Sequence, residues 1–136
     1  MTTTLRSTGL QCLIATGLLL TATSLWAHHS TTAVFEMQER VSWQGTLTKV
    51  DWVNPHVQLY MDVTGGDGKV EKWQFETNPP AWFRRVKVQR KDFIDAIGGS
   101  ITVEGAPPKD KEQNYGFVLK ITFPDGHSME FVRPDR

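Results

Sequence analysis

From residue 43 onward, apolar and polar positions alternate with the period of two that marks strands with one face in a core and one in water. Between His56 and Val63 the apolar Val57, Leu59, Met61 and Val63 alternate with His56, Gln58, Tyr60 and Asp62. Gly65-Gly66-Asp67-Gly68 follows, a run that tolerates the positive φ of a hairpin turn. The return from Val70 to Thr77 puts Trp73 and Phe75 on one face and Gln74 and Glu76 on the other. The preceding strand, Trp43 to Val53, changes phase between Leu47 and Val50, which predicts a β-bulge or a strong bend of the kind closed barrels use.

Helical signals interrupt this pattern after Glu76. Asn78 reads as an N-cap, with Pro79 and Pro80 at the first helical positions and Ala81-Trp82-Phe83-Arg84-Arg85 behind them. A second helical stretch, Lys91 to Ile97, stops at Gly98-Gly99, where glycine fits the position after a helix end. Strands resume with Ile101 and Val103, then with Phe117, Leu119, Ile121 and Phe123. Pro124-Asp125-Gly126 turns the chain into a last strand holding Met129 and Phe131. The order predicts a mainly β fold: a small, partly open barrel of the oligonucleotide/oligosaccharide-binding (OB) type, with about six strands and a short helical insert between strands 3 and 4. A two-sheet sandwich is the second choice.

The first 27 residues belong to a different pattern. Arg6 is their one charged residue, Gly9 to Leu25 carries none, and Leu25-Trp26-Ala27 ends the run on a small side chain. That is the order of a secretory signal peptide, and the Thr and Ser interruptions argue against a permanent membrane anchor. We therefore expect residues 1–27 to be removed and residues 28–136 to form a single small β-barrel domain in the periplasm or outside the cell, with no stable membrane span after cleavage. Cys12, the only cysteine, would leave with the leader, so no disulfide framework forms.

Composition now limits what such a domain can do. The whole chain has 15 Lys+Arg and 15 Asp+Glu; without Arg6 the mature part has a formal charge of −1. Neither total gives the basic footprint of a nonspecific nucleic-acid binder. The mature chain has 109 residues by the same cut, room for one modest core without staples. Trp43, Trp52, Trp73 and Trp82 help fill it.

Several short motifs, in this order and spacing, resemble a family of secreted bacterial proteins known as domain-of-unknown-function family 6152. They are His28-His29-Ser30, Gly45-Thr46-Leu47-Thr48, Asn54-Pro55-His56, Trp73-Gln74-Phe75-Glu76 and Pro124-Asp125-Gly126. The resemblance spans nearly all of the mature chain and implies a fold and a compartment, but no activity. This chain departs from the family in having Gly98-Gly99 where a Gly-Asp is usual before the fourth strand.

Candidate chemistry rests on the four histidines, His28, His29, His56 and His127. Cleavage after Ala27 would give His28 a free α-amine, which loses its proton far more readily than Lys and can bind a metal together with its own ring. Copper is the favoured ion, because Cu(II) heads the divalent affinity order for nitrogen ligands. His29, His56 and Glu76 complete the candidate metal set. Counting outward from the hairpin turn, Val63 opposite Lys69 or Val70 brings His56 opposite Glu76 or Thr77. The alternatives stay open: a frayed terminus for His28-His29, and a structural His–Glu pair that fixes a strand end.

Other candidates have plainer readings. His127 reads as a solvated turn residue, and Trp52 and Trp82 read as core ahead of sugar or base stacking. Arg84, Arg85, Lys87, Arg90 and Lys91 form the one basic cluster, read as a solvated helical face with an anionic ligand or membrane headgroup as the other choice. No Ser-His-Asp constellation, phosphate loop or cysteine pair has recognisable surroundings, so an enzyme is not expected. Two functions remain: a metal-binding protein, or a non-metal module that uses Gln58, Tyr60 and Gln74 to hold a small ligand, an envelope component or another protein.

Overall fold

The computed structural model describes residues 30–131. In chain order the elements are α1 (Thr31–Val34), β1 (Val41–Asp51), β2 (Gln58–Thr64), β3 (Val70–Glu76), α2 (Pro80–Arg85), α3 (Arg90–Ile94), β4 (Ser100–Ala106), β5 (Tyr115–Thr122) and β6 (Ser128–Glu130). The strands follow the order β3-β2-β1-β4-β5-β6, and a parallel β3–β5 pairing closes β1 to β5 into a barrel. Closure is short: Gln74 pairs with Tyr115, Phe75 with Gly116 and Glu76 with Phe117. β6 continues along the same edge of β5 through Lys120, Ile121 and Thr122. This is the mainly β barrel that the alternation predicts, closed where a partly open one is expected.

The bend sits where the phase slips. β1 pairs Leu47 with Met61 and then Lys49 with Tyr60, so Thr48 is the extra residue of a bulge. One strand can thereby serve both β2 and β4 around a tight barrel. Closure also depends on a missing side chain, because a Cβ on Gly116 would lie 2.8 Å from two ring carbons of the fully buried Phe75. Inside, Leu47, Leu59, Met61, Phe75, Ile101, Val103, Val118 and Ile121 make a continuous core. A second, smaller core lies outside β5, where Phe35, Ala106 and Phe117 pack together. Phe35 anchors the segment that carries α1, an element without a sequence signal, through a bridge to Pro108.

The helical insert caps one end of the barrel. Phe83 is its hub, with ring centroids 4.9 Å from Trp52, 5.1 Å from Trp82, 5.4 Å from Phe93 and 5.6 Å from Phe131. Two details differ from expectation. Pro79, not Asn78, is the N-cap of α2, because Asn78 is still engaged in the sheet: its carbonyl accepts the Val57 N–H at 3.2 Å. The second helix ends at Ile94, and turns carry the chain on to Gly98 at φ 85°. Among the described residues no helix is long and apolar enough to cross a membrane.

Candidate functional site

Register decides which outward side chains become neighbours. Lys49 pairs with Tyr60, Tyr60 with Gln74, and Gln74 with Tyr115. One step along, Asp51 pairs with Gln58 and Gln58 with Glu76. These residues alternate with the buried Leu59, Met61 and Phe75, so they share the outer face of the barrel. There they bond to one another: Lys49 to Asp51 at 2.7 Å, and Gln74 Nε2 to Gln58 Oε1 at 3.2 Å. The Lys49 ammonium also lies 4.8 Å from the centre of the Tyr60 ring.

His56 and Glu76 meet at the end of this face, although not in the register that counting predicts. Val63 pairs with Glu71 and Thr64 with Val70, because Gly68 takes φ 79° and its N–H bonds back to Gly65, lengthening the loop. β2 consequently begins at Gln58, after a cis Asn54–Pro55 bond, and Glu76 faces Gln58. His56 reaches Glu76 on the diagonal, with Nδ1 2.6 Å from Oε1. The other carboxylate oxygen of Glu76 accepts the Tyr115 hydroxyl at 2.5 Å.

This arrangement orients each group. Both oxygens of Glu76 are engaged, so the carboxylate is fixed between ring and phenol. With Nδ1 bonded to the carboxylate, Nε2 is the ring nitrogen left to meet a ligand. Burial first, and then the hydrogen bond to Glu76, push the Tyr115 hydroxyl well above its ordinary pKa, so it remains a proton donor at neutral pH. Tyr60 is raised in the same direction, chiefly by burial and then by its hydrogen bond to Asp51. The Asp51 carboxyl is held below its usual range, mainly by Lys49.

Sequence reasoning missed Tyr115 entirely. Its partner Glu76 lies 39 positions away and meets it only because β3 and β5 run parallel. A signal existed in the neighbouring Gly116, since glycine inside a strand pattern marks a close backbone approach. His28 and His29, the rest of the proposed metal set, lie outside the described residues. His127 bonds to Asp125 at 2.5 Å in its turn and stacks on Phe123, and the structure gives it no bond to His56 or Glu76 among the described residues. Among the described residues no three His, Cys, Asp or Glu side chains form a group able to hold a metal.

Next to the network the same face opens into a groove of about 420 Å³, lined by Lys49, Tyr60, Lys72, Trp73, Gln74 and Asn114 among others. The Trp73 indole N–H donates to Glu71 at 3.0 Å, and the ring packs against Trp43 and Phe75. Trp52 and Trp82, the two candidates for stacking, instead pack beneath and within the cap. Asn78 Nδ2, on the segment that follows Glu76, is a buried donor with no hydrogen-bond partner among the described residues.

Fold and site together define a small closed β-barrel with a bonded polar strip on its outer face. The chain belongs to a family of unknown function (DUF6152), whose model matches residues 16–117. No curated protein matches it.

Proposed function

We propose that the protein is an exported binding protein that holds copper or a similar divalent ion through the mature N-terminus and His56. The ligands in this reading are the α-amine and ring of His28, the ring of His29, and Nε2 of His56. Glu76 stands behind His56 as the carboxylate that orients it. The observation that carries the reading is the chain of contacts from Tyr115 to Glu76 to His56. A histidine that ligates a metal commonly gives its other ring N–H to a carboxylate, which sets its tautomer and makes it a better ligand.

The placement of the N-terminal segment supports the same reading. Phe35 packs on Tyr115 with ring centroids 5.0 Å apart, so the segment leading back to His28 is anchored beside the residue that holds Glu76. Lys109 adds a bond to the Thr32 carbonyl at 2.7 Å.

Copper titration of two forms tests it: protein starting at His28, and the same chain with one additional residue in front. The first is expected to bind Cu(II) tightly, while the second loses most of that affinity because its His28 nitrogen becomes an amide. Equal binding by both would sink the amino-terminal site. Tyr115→Phe and Glu76→Gln are expected to weaken binding about 10- to 100-fold while all four ligands remain.

A second reading is favoured by the groove beside the network. Its tyrosine, amide and lysine lining suits a small polar ligand, such as an envelope sugar, packed against Tyr60 and bonded by Gln74 and Asn114, with Trp73 at the groove wall. Metal-free protein whose Trp fluorescence changes with such a ligand, and no longer does so in Tyr60→Ala, would support this reading over copper.

A further inference from the structure

The cap holds a cluster that neither reading uses. Residues 84–91 contain five cations, Arg84, Arg85, Lys87, Arg90 and Lys91, and no acid stands between Glu76 and Asp92. Since the whole chain is neutral, everything outside these eight residues carries a formal −5. Counting Asp92 and Asp95, which stand on the same insert, residues 80–97 still carry a formal +3 in a neutral chain. All five side chains are exposed. Lys91 is taken up by an ion pair with Asp95, whereas Arg84, Arg85, Lys87 and Arg90 have no ion-pair partner among the described residues.

Aliphatic side chains lie among these cations. Val86 is 46% exposed, Ile94 37% and Ile97 40%, half of the large hydrophobic residues exposed on the described chain. Arg90 and Ile94 stand at i and i+4 and so share one side of α3, and Ile97 follows in the turn after it. Exposed apolar groups interleaved with cations are what an interfacial helix presents to lipid headgroups.

The backbone at the centre of the patch supplies an independent observation. α2 ends in a Schellman motif: the Val88 N–H bonds to the Phe83 carbonyl at 3.0 Å and the Lys87 N–H to the Arg84 carbonyl at 3.3 Å. The residue after such a helix end is ordinarily glycine, because its φ is positive. Here it is Lys87 at φ 60°, the one non-glycine residue with positive φ among those described. The turn by itself favours glycine here, so the turn does not account for a cation at this position.

We infer that this cap docks on an anionic phospholipid surface, with Arg84, Arg85, Lys87 and Arg90 against the headgroup phosphates and Ile94 and Ile97 dipping into the interface. Lipid fits better than nucleic acid, because the exposed apolar groups are aliphatic and no exposed ring stands among them to stack on bases. The inference does not depend on copper binding. It extends to the cap the headgroup alternative that the basic run itself suggests.

Vesicle co-sedimentation tests it, with the same exported form used for the copper titration. Every variant shares that chain, so any contribution from residues before the barrel cancels in the ratios. Binding is expected to vesicles containing phosphatidylglycerol and not to pure phosphatidylcholine, and to fall as salt rises. Arg84→Gln and Arg85→Gln should each weaken binding about fivefold, the equivalent of about 1 kcal/mol per charge near the surface. Ile94→Ser leaves the charge unchanged and should also weaken it. Lys87→Gly provides the sharpest separation, weakening binding about fivefold while raising the unfolding temperature by about 4 °C. Equal binding to both vesicle types, unchanged binding of the two arginine variants or of Ile94→Ser, or retention on heparin without vesicle binding would overturn the proposal.

Discussion

At the end of the outer face, where β3 meets β5 and the segment before β2, contacts of 2.5–2.6 Å link His56 to Glu76 and Glu76 to Tyr115, whereas four cations of the cap have no ion-pair partner among the described residues. The two regions manage polar groups by opposite means. Half-buried groups lose water, so each must be bonded or its desolvation goes uncompensated, and bonding also fixes its direction. Exposed cations keep their water and cost little when unpaired, but their field reaches outward over about a Debye length. The first arrangement suits a ligand that must be met at a defined angle; the second suits a broad, charged surface. A ring in the network therefore matters through orientation, while a cation on the cap matters through number.

Both regions rest on one core, and the largest expected effects come from removing that support. Phe83→Ala deletes the hub beneath the cap and should lower stability by about 3–5 kcal/mol, read as a shift of the urea midpoint. If the cap were a loosely attached appendage, the loss would be far smaller. Gly116→Ala attacks the closure behind the polar face, because the new methyl meets the Phe75 ring with no room to yield. A loss of about 1–3 kcal/mol is expected, together with weaker copper binding, since Tyr115 is the next residue. Phe83→Ala, measured at a temperature where it is still folded, should impair vesicle binding more than copper binding. The two variants thus ask whether the regions can be uncoupled.

What the sequence could disclose about each region follows from how local its signals are. The bulge was readable because a phase slip between Leu47 and Val50 is a property of consecutive residues, and the bulged residue is Thr48 between them. The hairpin turn was readable from its glycines, but its register was not. Gly65 to Gly68 admits several loops, and only the bond from Gly68 to Gly65 selects the one that pairs Thr64 with Val70. Asn78 looked like a cap by residue type, yet its backbone was already committed to Val57. The basic run was visible as composition, but its freedom from ion pairs depends on where the acids lie in space. Tyr115 was least legible of all, because its role arises from a parallel pairing between strands separated by the whole helical insert and β4.

Lys87→Gly sharpens the contrast on the cap side. Relief of the positive φ should raise stability by about 1 kcal/mol, measurable by denaturant unfolding. Gly116→Ala, by contrast, should lower it. Glycine is thus unwanted at the one position where the turn favours it and required at the other, where the sheet closes. A Lys87→Gly protein no more stable than the original would mean that the Lys87 side chain makes up for its backbone.

The smallest effect belongs to the network and appears only at high pH. Tyr115 has its pKa raised in the folded protein, by burial first and then by Glu76, above an ordinary value near 10. Below that ordinary value both folded and unfolded chains keep the proton, and the stability is fully present. As pH rises past it, the unfolded chain ionises while the folded chain holds its proton, so stability falls until the folded pKa is reached. Tyr115→Phe cannot ionise and should flatten this alkaline slope, although it also removes the bond to Glu76 and lowers stability at neutral pH. Tyr60 is raised in the same sense, so part of the slope should remain in the variant. Unfolding free energies measured by urea across the alkaline range decide the matter. A slope identical in the two proteins would mean that Tyr115 is not held neutral by its surroundings, and the contrast between an orienting network and a charged cap would lose its firmest support.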